Sequence, residues 1–187
     1  MKKLSCFRFL LFGIGAIIVS GCARKKSEAV SVAVVVQGNS NDVQVVQSDV
    51  SRLLKAVYAS DVDTVLDLTH TKTIEIMGGK AQAQTALKDA LQQIQMAGMK
   101  LESFDFPKDP TYLRSDVRQF AIVPTKSLIV AHGQRIESLN YQFGVKEAGA
   151  SNWTYIEGSR INSSNANNIF PDFPVNFQFP DFYRKKL

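Results

Sequence analysis

The side chains able to do chemistry in this sequence are few and spread far apart. Its two histidines, His70 and His132, stand 62 positions from each other, which is not a metal-ligand spacing such as His-x-x-x-His. The stretch Glu157–Arg160 (EGSR) has one glycine only, so it is not a Gly-x-Ser-x-Gly nucleophile elbow. Gly78–Lys80 (GGK) lacks the length and the hydroxyl residue of a phosphate loop. Proton transfer in an apolar site needs a carboxylate or imidazole base and an oxyanion donor such as a tyrosine hydroxyl. Residues of those types are Tyr58, His70, Glu75, Tyr141 and Tyr155. Their phase argues mostly for packing or surface. Tyr58 shares an apolar helical stripe, Tyr141 alternates with Leu139 and Phe143, and Glu75 falls between Ile74 and Ile76. His70 follows Thr69 at a loop-to-helix junction, where an imidazole can act as a base or fix the turn by a hydrogen bond. No partner carboxylate is identifiable by spacing, so the turn-fixing role is expected. His132 belongs to a solvated hairpin turn.

Cys22 has the most specific surroundings. The opening MKKLSCFRFLLFGIGAIIVSGC carries Lys2, Lys3 and Arg8, then eleven apolar or glycine residues from Phe9 to Val19. A membrane-spanning helix needs about 20 such residues. A basic start, a short apolar run and small residues at Ser20 and Gly21 read instead as a secretory signal. Val19-Ser20-Gly21-Cys22 resembles the lipobox of bacterial lipoproteins. The resemblance implies that residues 1–21 are a signal peptide, that the Cys22 thiol is acylated, and that Cys22 begins the mature chain as its lipid anchor. The thiol is the strongest nucleophile available for that alkylation. Ala23, rather than an aspartate, implies the outer membrane with the domain facing the periplasm; in a Gram-positive cell the same anchor would sit on the plasma membrane.

Processing of this kind changes the chemistry of what remains. Losing Lys2, Lys3 and Arg8 lowers the formal charge from +5 to +2, so no nucleic-acid partner is expected. Neither cysteine is left free or able to form a disulfide, and a secreted domain without bridges must depend on its hydrophobic core. No metal or other cofactor is expected.

The elements that must position these residues follow from periodicity. Residues 22–47 read as the lipidated cysteine and a tether; the 25 residues from Ala23 to Gln47 reach about 85 Å at ~3.4 Å each. Its VSVAVVV core reads first as a partly ordered linker, with a strand added to a sheet edge as the alternative. Ser48 is a helix N-cap ahead of Val50, Leu53, Leu54, Val57 and Tyr58 at helical spacing. The stretch TVLDLTHTKTIEIMGG gives one or two short helical turns. From Lys80 a long helix carries Ala83, Ala86, Leu87, Ala90, Leu91 and Ile94 on one stripe. After Gly98 the period becomes two. MKLESFDF is a short strand, and TYLRSDVRQFAIVPTKSLIVA is a long extended segment broken or bulged near Pro124. A turn at HGQR, a return strand through Leu139, Tyr141, Phe143 and Val145, and a last strand WTYIEG complete the pattern. Helices followed by an antiparallel meander predict an α+β domain.

From Ser48 to Pro174, the element order with THTK…EIMGG, WTYIEG and FPDFP resembles the nuclear transport factor 2-like superfamily. The resemblance implies N-terminal helices packed on a strongly bent antiparallel sheet of about four strands. The cone so formed would hold a pocket lined by Tyr58, His70, Tyr141, Phe143, Trp153 and Tyr155. A cystatin-like helix on a sheet is the alternative fold. Some superfamily members are isomerases or cyclases, others bind ligands, and many pair through the sheet face; fold alone does not choose among them. The expected function is non-catalytic: a lipid-anchored envelope protein binding a small apolar ligand or a protein partner. The alternatives are a small isomerase or cyclase-like enzyme using a His/Tyr pair, and a structural homodimer through the sheet face. The tail, residues 175–187, belongs to a stretch holding five of the mature chain's nine phenylalanines, with FPDF at Phe170 and again at Phe179. Proline keeps it out of helix interiors and central strands. Phe170 and Phe173 are expected to cover the cone mouth. Phe177, Phe179 and Phe182 are candidates for contact with a partner or a membrane surface.

Overall fold

The computed structural model describes residues 32–187; the signal segment and Cys22 lie outside them. The chain is α+β, and its strands form one seven-stranded sheet whose named pairings are all antiparallel. The expectation of about four strands is corrected upward, because each end of the domain adds one strand to the predicted meander and the predicted long segment is two strands, β3 and β4.

The sheet is built around one long hairpin, β4 (Arg118–Ala131) and β5 (Gln134–Glu147), paired along its whole length from Arg118–Glu147 to Ala131–Gln134. Each of its outer edges serves two neighbours. Along β4, the open half of the hairpin pairs with β3 (Thr111–Arg114) and the turn half with β2 (Lys100–Asp105). Along β5, β6 (Thr154–Glu157) takes the open half and β7 (Tyr183–Lys186) the turn half. β1 (Val34–Val36) pairs outside β3.

Two expectations about strands are revised. The apolar VVV run is an edge strand and not a linker. The chain is broken at Ser115–Val117, between β3 and β4, and runs on through Pro124. Pro124 pairs with Tyr141 on one side. On the other it falls between Ile122, paired to β3, and Lys126, paired to β2. A residue without an N–H is tolerated where one strand edge has no partner.

The first helix also starts earlier than predicted. α1 spans Ser40–Ala59, and the side chain of Asn39 caps it by accepting a 2.8 Å hydrogen bond from the Asp42 backbone N–H. Val46, Val50, Leu53 and Ala56 face the core, with Val43 packed against it, so the apolar stripe begins upstream of Ser48. α2 (Val62–Leu68) and α3 (Thr71–Ile76) are the two short helices, followed by α4 (Lys80–Met96). On α4 only Ala83 and Leu91 are buried, while Ala86 and Ala90 are exposed; methyl groups there gave a wider apparent stripe than the packing uses.

Period-two alternation sorts the sheet into two covered faces. Tyr112, Ala121, Val123, Trp153 and Tyr155 meet the helices through Val46, Val50, Leu53, Leu68 and Leu91. The opposite face, with Phe120, Ile122, Tyr141, Phe143 and Val145, is covered by the chain after β6, including α5 (Ala166–Ile169), Phe170 and Phe173. The domain is therefore layered as helices, sheet and aromatic C-terminal segment. Burying a phenylalanine contributes about 2–3 kcal/mol, so the C-terminal segment is a structural layer and not an appendage. The polar side of β5 turns toward the helices: Gln142 and Ser138 are buried there, in register with Val123 and Ser127.

Candidate functional site

The most concentrated polar chemistry lies where the α2–α3 junction meets the edge of β6. Thr69 pairs with Tyr155 in an isolated bridge, and the His70 N–H donates to the Tyr155 carbonyl at 2.9 Å. This fixes His70 as the N-cap of α3, with Nδ1 accepting from the Lys72 N–H at 3.1 Å. An Nδ1 that accepts leaves the ring hydrogen on Nε2. Nε2 lies 3.9 Å from Glu147 Oε1 at the end of β5. The ring is 3% exposed and meets Phe170 edge-on, centroids 5.4 Å apart. Burial, with the Lys72 and Arg118 cations nearby, lowers its pKa to about 4. At neutral pH the imidazole is uncharged, with one nitrogen engaged by the backbone and the other protonated. It fixes the turn, and it is a weak base.

Around it stands an ionic cluster that sequence reasoning missed. Arg118 Nε lies 3.4 Å from Glu147 Oε2 and 3.5 Å from Asp172 Oδ2. Ser115 Oγ donates to Asp172 Oδ2 at 2.6 Å, and Asp172 is 1% exposed. The guanidinium sits 5.2 Å from the centroid of Phe170, and Lys72 Nζ 5.3 Å from the same ring. Lys72 Nζ also donates to the Ile169 carbonyl at 2.6 Å. The Asp172 carbonyl accepts from the Ala33 N–H at 2.7 Å. Arg118 Nε and Nη1 are buried without a hydrogen-bond partner, so their charge is met by proximity and not by directed bonds. Together these contacts latch the first FPDF segment onto the sheet and tie the N-terminal entry of the domain to it. The signal that could have found the latch is an aspartate set between buried phenylalanines, which must be paired if it is buried.

The six residues expected to line one pocket do not meet in one space. Tyr141 and Phe143 lie on the face covered by the C-terminal segment, whereas Trp153 and Tyr155 lie on the helix face. The Tyr141 hydroxyl donates to the Ile161 carbonyl, and burial beside Glu157 pushes its pKa up to about 12. The Tyr155 hydroxyl donates to Asp49 Oδ2 at 3.2 Å, and burial and that carboxylate hold its proton on. Nearby, the Tyr112 hydroxyl is buried without a partner. Trp153 packs edge-on against Tyr112. Tyr58 is half-buried on α1, and burial raises its pKa against the opposing charge of Arg184. Glu75 and His132 are exposed.

Compared with protein-family models, curated proteins and solved structures, the chain matches none. Assignment of the site therefore rests on its chemistry. Among the described residues, no group of three or more histidine, cysteine, aspartate or glutamate side chains could hold a metal ion, and no helix is long and apolar enough to cross a membrane.

Among the described residues a cleft of about 390 Å³ is walled by Ser138, Asn140, Glu157, Ser159, Phe182 and Arg184 among others. It arises because β6 ends at Glu157 opposite Gln142 and β7 begins at Tyr183 opposite Leu139, leaving Asn140 and Tyr141 between them. Asn140 closes the floor: its Oδ1 accepts from the Tyr141 N–H at 2.8 Å and its Nδ2 donates to Glu157 Oε1 at 2.5 Å. Ser159 donates to the other Glu157 oxygen. Gly158 permits the turn here, since a Cβ would stand 2.3 Å from the Tyr141 carbonyl oxygen. Of the three tail phenylalanines, Phe177 and Phe179 are half-buried, Phe179 stacked on Phe173 and Tyr141 and Phe177 edge-on to Phe173, while Phe182 is 65% exposed at the rim of this cleft.

Proposed function

We propose that this is a lipid-anchored protein of the bacterial cell envelope, held by acyl chains on Cys22 and processed after residue 21. Its domain is non-catalytic and binds a small ligand or a protein partner. The observation that carries the anchor is Val19-Ser20-Gly21-Cys22 at the end of an apolar run too short to span a bilayer. With Ala23 in the next position the anchor belongs to the outer membrane, the domain facing the periplasm. The first strand makes this more specific. Ala33 is buried and hydrogen-bonded to Asp172, so only residues 23–32 separate the anchor from the packed domain. Ten residues reach at most about 34 Å, which keeps the domain close to the bilayer.

The domain is read as a nuclear transport factor 2-like cone with a strongly bent sheet. In support, the long hairpin β4–β5 changes neighbours halfway along both edges, a pattern that lets the two halves of a sheet diverge. The non-catalytic reading is supported by the state of His70, whose Nδ1 is committed to the Lys72 N–H and whose pKa lies far below neutrality. Membrane fractionation tests the anchor. After a high-salt wash, wild-type protein stays in the pellet and Cys22→Ser moves to the supernatant; a variant that sediments like wild type refutes it.

A second reading, a proton-transfer enzyme centred on His70, is favoured by one observation: His70 is buried with Glu147 at 3.9 Å. That reading requires the imidazole to titrate near neutral pH. A titration midpoint close to 4 in the folded protein rules it out.

A further inference from the structure

We propose that β7 and the cleft beside it form a docking site for the phosphate headgroups of anionic phospholipids, so that the domain lies against the bilayer and does not hang from its tether. This deepens the lipid-anchor reading and rests on it.

The argument starts with the second FPDF repeat. In the first repeat the aspartate is buried and latched by Ser115 and Arg118, and both phenylalanines are in the core. In the second, Phe179 reaches the core, but Asp181 and Phe182 are exposed. The residues that follow, Tyr183–Lys186, form an edge strand exposed along its whole length. Arg184, Lys185 and Lys186 thus stand in succession on an open edge, and none makes an ion pair within 4.0 Å among the described residues. The nearest acid across the strand pair, Glu137, is already held by Lys126 at 2.9 Å and by the Tyr183 hydroxyl at 2.7 Å. Over Asp181–Leu187 three cations face one acidic side chain. Phe182 and Leu187, 65% and 66% exposed, bracket the cations with apolar groups.

Cations between exposed apolar anchors match an anionic interface, where the apolar groups enter the acyl boundary and the cations meet phosphates. The cleft adds a recess: Arg184 and the Ser138 hydroxyl on its wall are donors, and the one carboxylate of the lining, Glu157, is already held by Asn140 Nδ2 and the Ser159 hydroxyl. A tether of at most about 34 Å keeps the domain close to the membrane surface.

The test uses the acylated full chain reconstituted in two kinds of vesicle, phosphatidylcholine alone and phosphatidylcholine with phosphatidylglycerol. Amide hydrogen exchange is followed over Tyr183–Lys186, with β4 and β5 as the internal record of folding. Each cation at an anionic surface favours docking about fivefold, so three favour it roughly a hundredfold. Exchange in β7 should therefore slow by at least about tenfold in the anionic vesicles and recover in high salt. The triple variant Arg184→Gln, Lys185→Gln, Lys186→Gln should show the same β7 exchange in both vesicles, with β4 and β5 unchanged. Equal exchange of wild type in the two vesicles, or slowing that survives in the triple variant, overturns the proposal. So does equal slowing by glycerol phosphate in neutral vesicles, which would make the cleft a site for a soluble phosphate. The mass of the same sample reports acylation separately. An unacylated chain fails the anchor reading alone, and β7 is then tested by adding that chain to the same two vesicles.

Discussion

Asp172→Ala tests the latch that holds the C-terminal layer on the sheet. Asp172 is 1% exposed and receives the Ser115 hydroxyl at 2.6 Å, with Arg118 Nε at 3.5 Å. Removing one partner of a buried ion pair costs about 3–5 kcal/mol. Two features reduce that here: the Arg118 side chain is 16% exposed, and Glu147 remains 3.4 Å from it. A partly solvated charge with a second partner loses less, which brings the charge effect to about 2 kcal/mol; the lost Ser115 hydrogen bond adds about 1 kcal/mol. The expected total is about 3 kcal/mol. For a domain of this size, each kcal/mol shifts Tm by about 2–4 °C, so a fall of about 6–12 °C is expected. Urea unfolding followed by Trp153 fluorescence gives the free energy, and far-UV circular dichroism gives Tm. Asp172→Asn keeps an acceptor for Ser115 and should cost less than the alanine. Arg118→Met combined with Asp172→Leu removes both charges and should recover most of the loss, because paired charges and apolar isosteres are close in energy. If Asp172→Ala stays within about 0.5 kcal/mol of wild type, or the double variant is no better than the single one, the latch does not hold this layer.

Two further outcomes follow from local geometry. His70, with its pKa lowered to about 4 from an ordinary 6.5, binds a proton more readily in the unfolded chain. Its stabilising contribution is complete above pH 6.5 and is lost as pH falls toward 4, amounting to roughly 3 kcal/mol. Stability measured against pH should show this slope in wild type and not in His70→Gln, and NMR titration of the imidazole should give the low midpoint directly. Gly158→Ala places a methyl 2.3 Å from the Tyr141 carbonyl oxygen, so it should destabilise by about 1–3 kcal/mol and shift β6 amides in the NMR spectrum; an unperturbed spectrum would contradict the close packing.

The helical and strand periods were legible wherever one face alone was apolar, as in α1 from Val50 onward and in β5. They misled where a segment served two purposes. Val34–Val36 reads as a sticky linker because its partner strand lies some 80 positions away, Val34 pairing with Arg114, and no local pattern encodes that pairing. Val43 and Val46 fall within residues 22–47, read as a tether because Ser48 offered an N-cap, and this hid the first two turns of α1. The tail was recognised as extended by its prolines, but a strand at Tyr183–Lys186 of mostly charged residues has no alternation to announce it. His70 was legible as a turn-fixing residue, since it stands at a loop-to-helix junction with no carboxylate at a partner spacing, and it caps α3. Its neighbours Arg118, Glu147 and Asp172 come from three distant segments: the antiparallel register of β4 and β5 pairs Arg118 with Glu147, and the returning C-terminal segment brings Asp172 to them.

Intact mass spectrometry of the N-terminal peptide from native membranes tests the central claim most directly. The account predicts a peptide beginning at Cys22 and carrying the mass of a diacylglyceryl group on its sulfur. A peptide that retains residues before Cys22, or one whose Cys22 is unmodified, would contradict it.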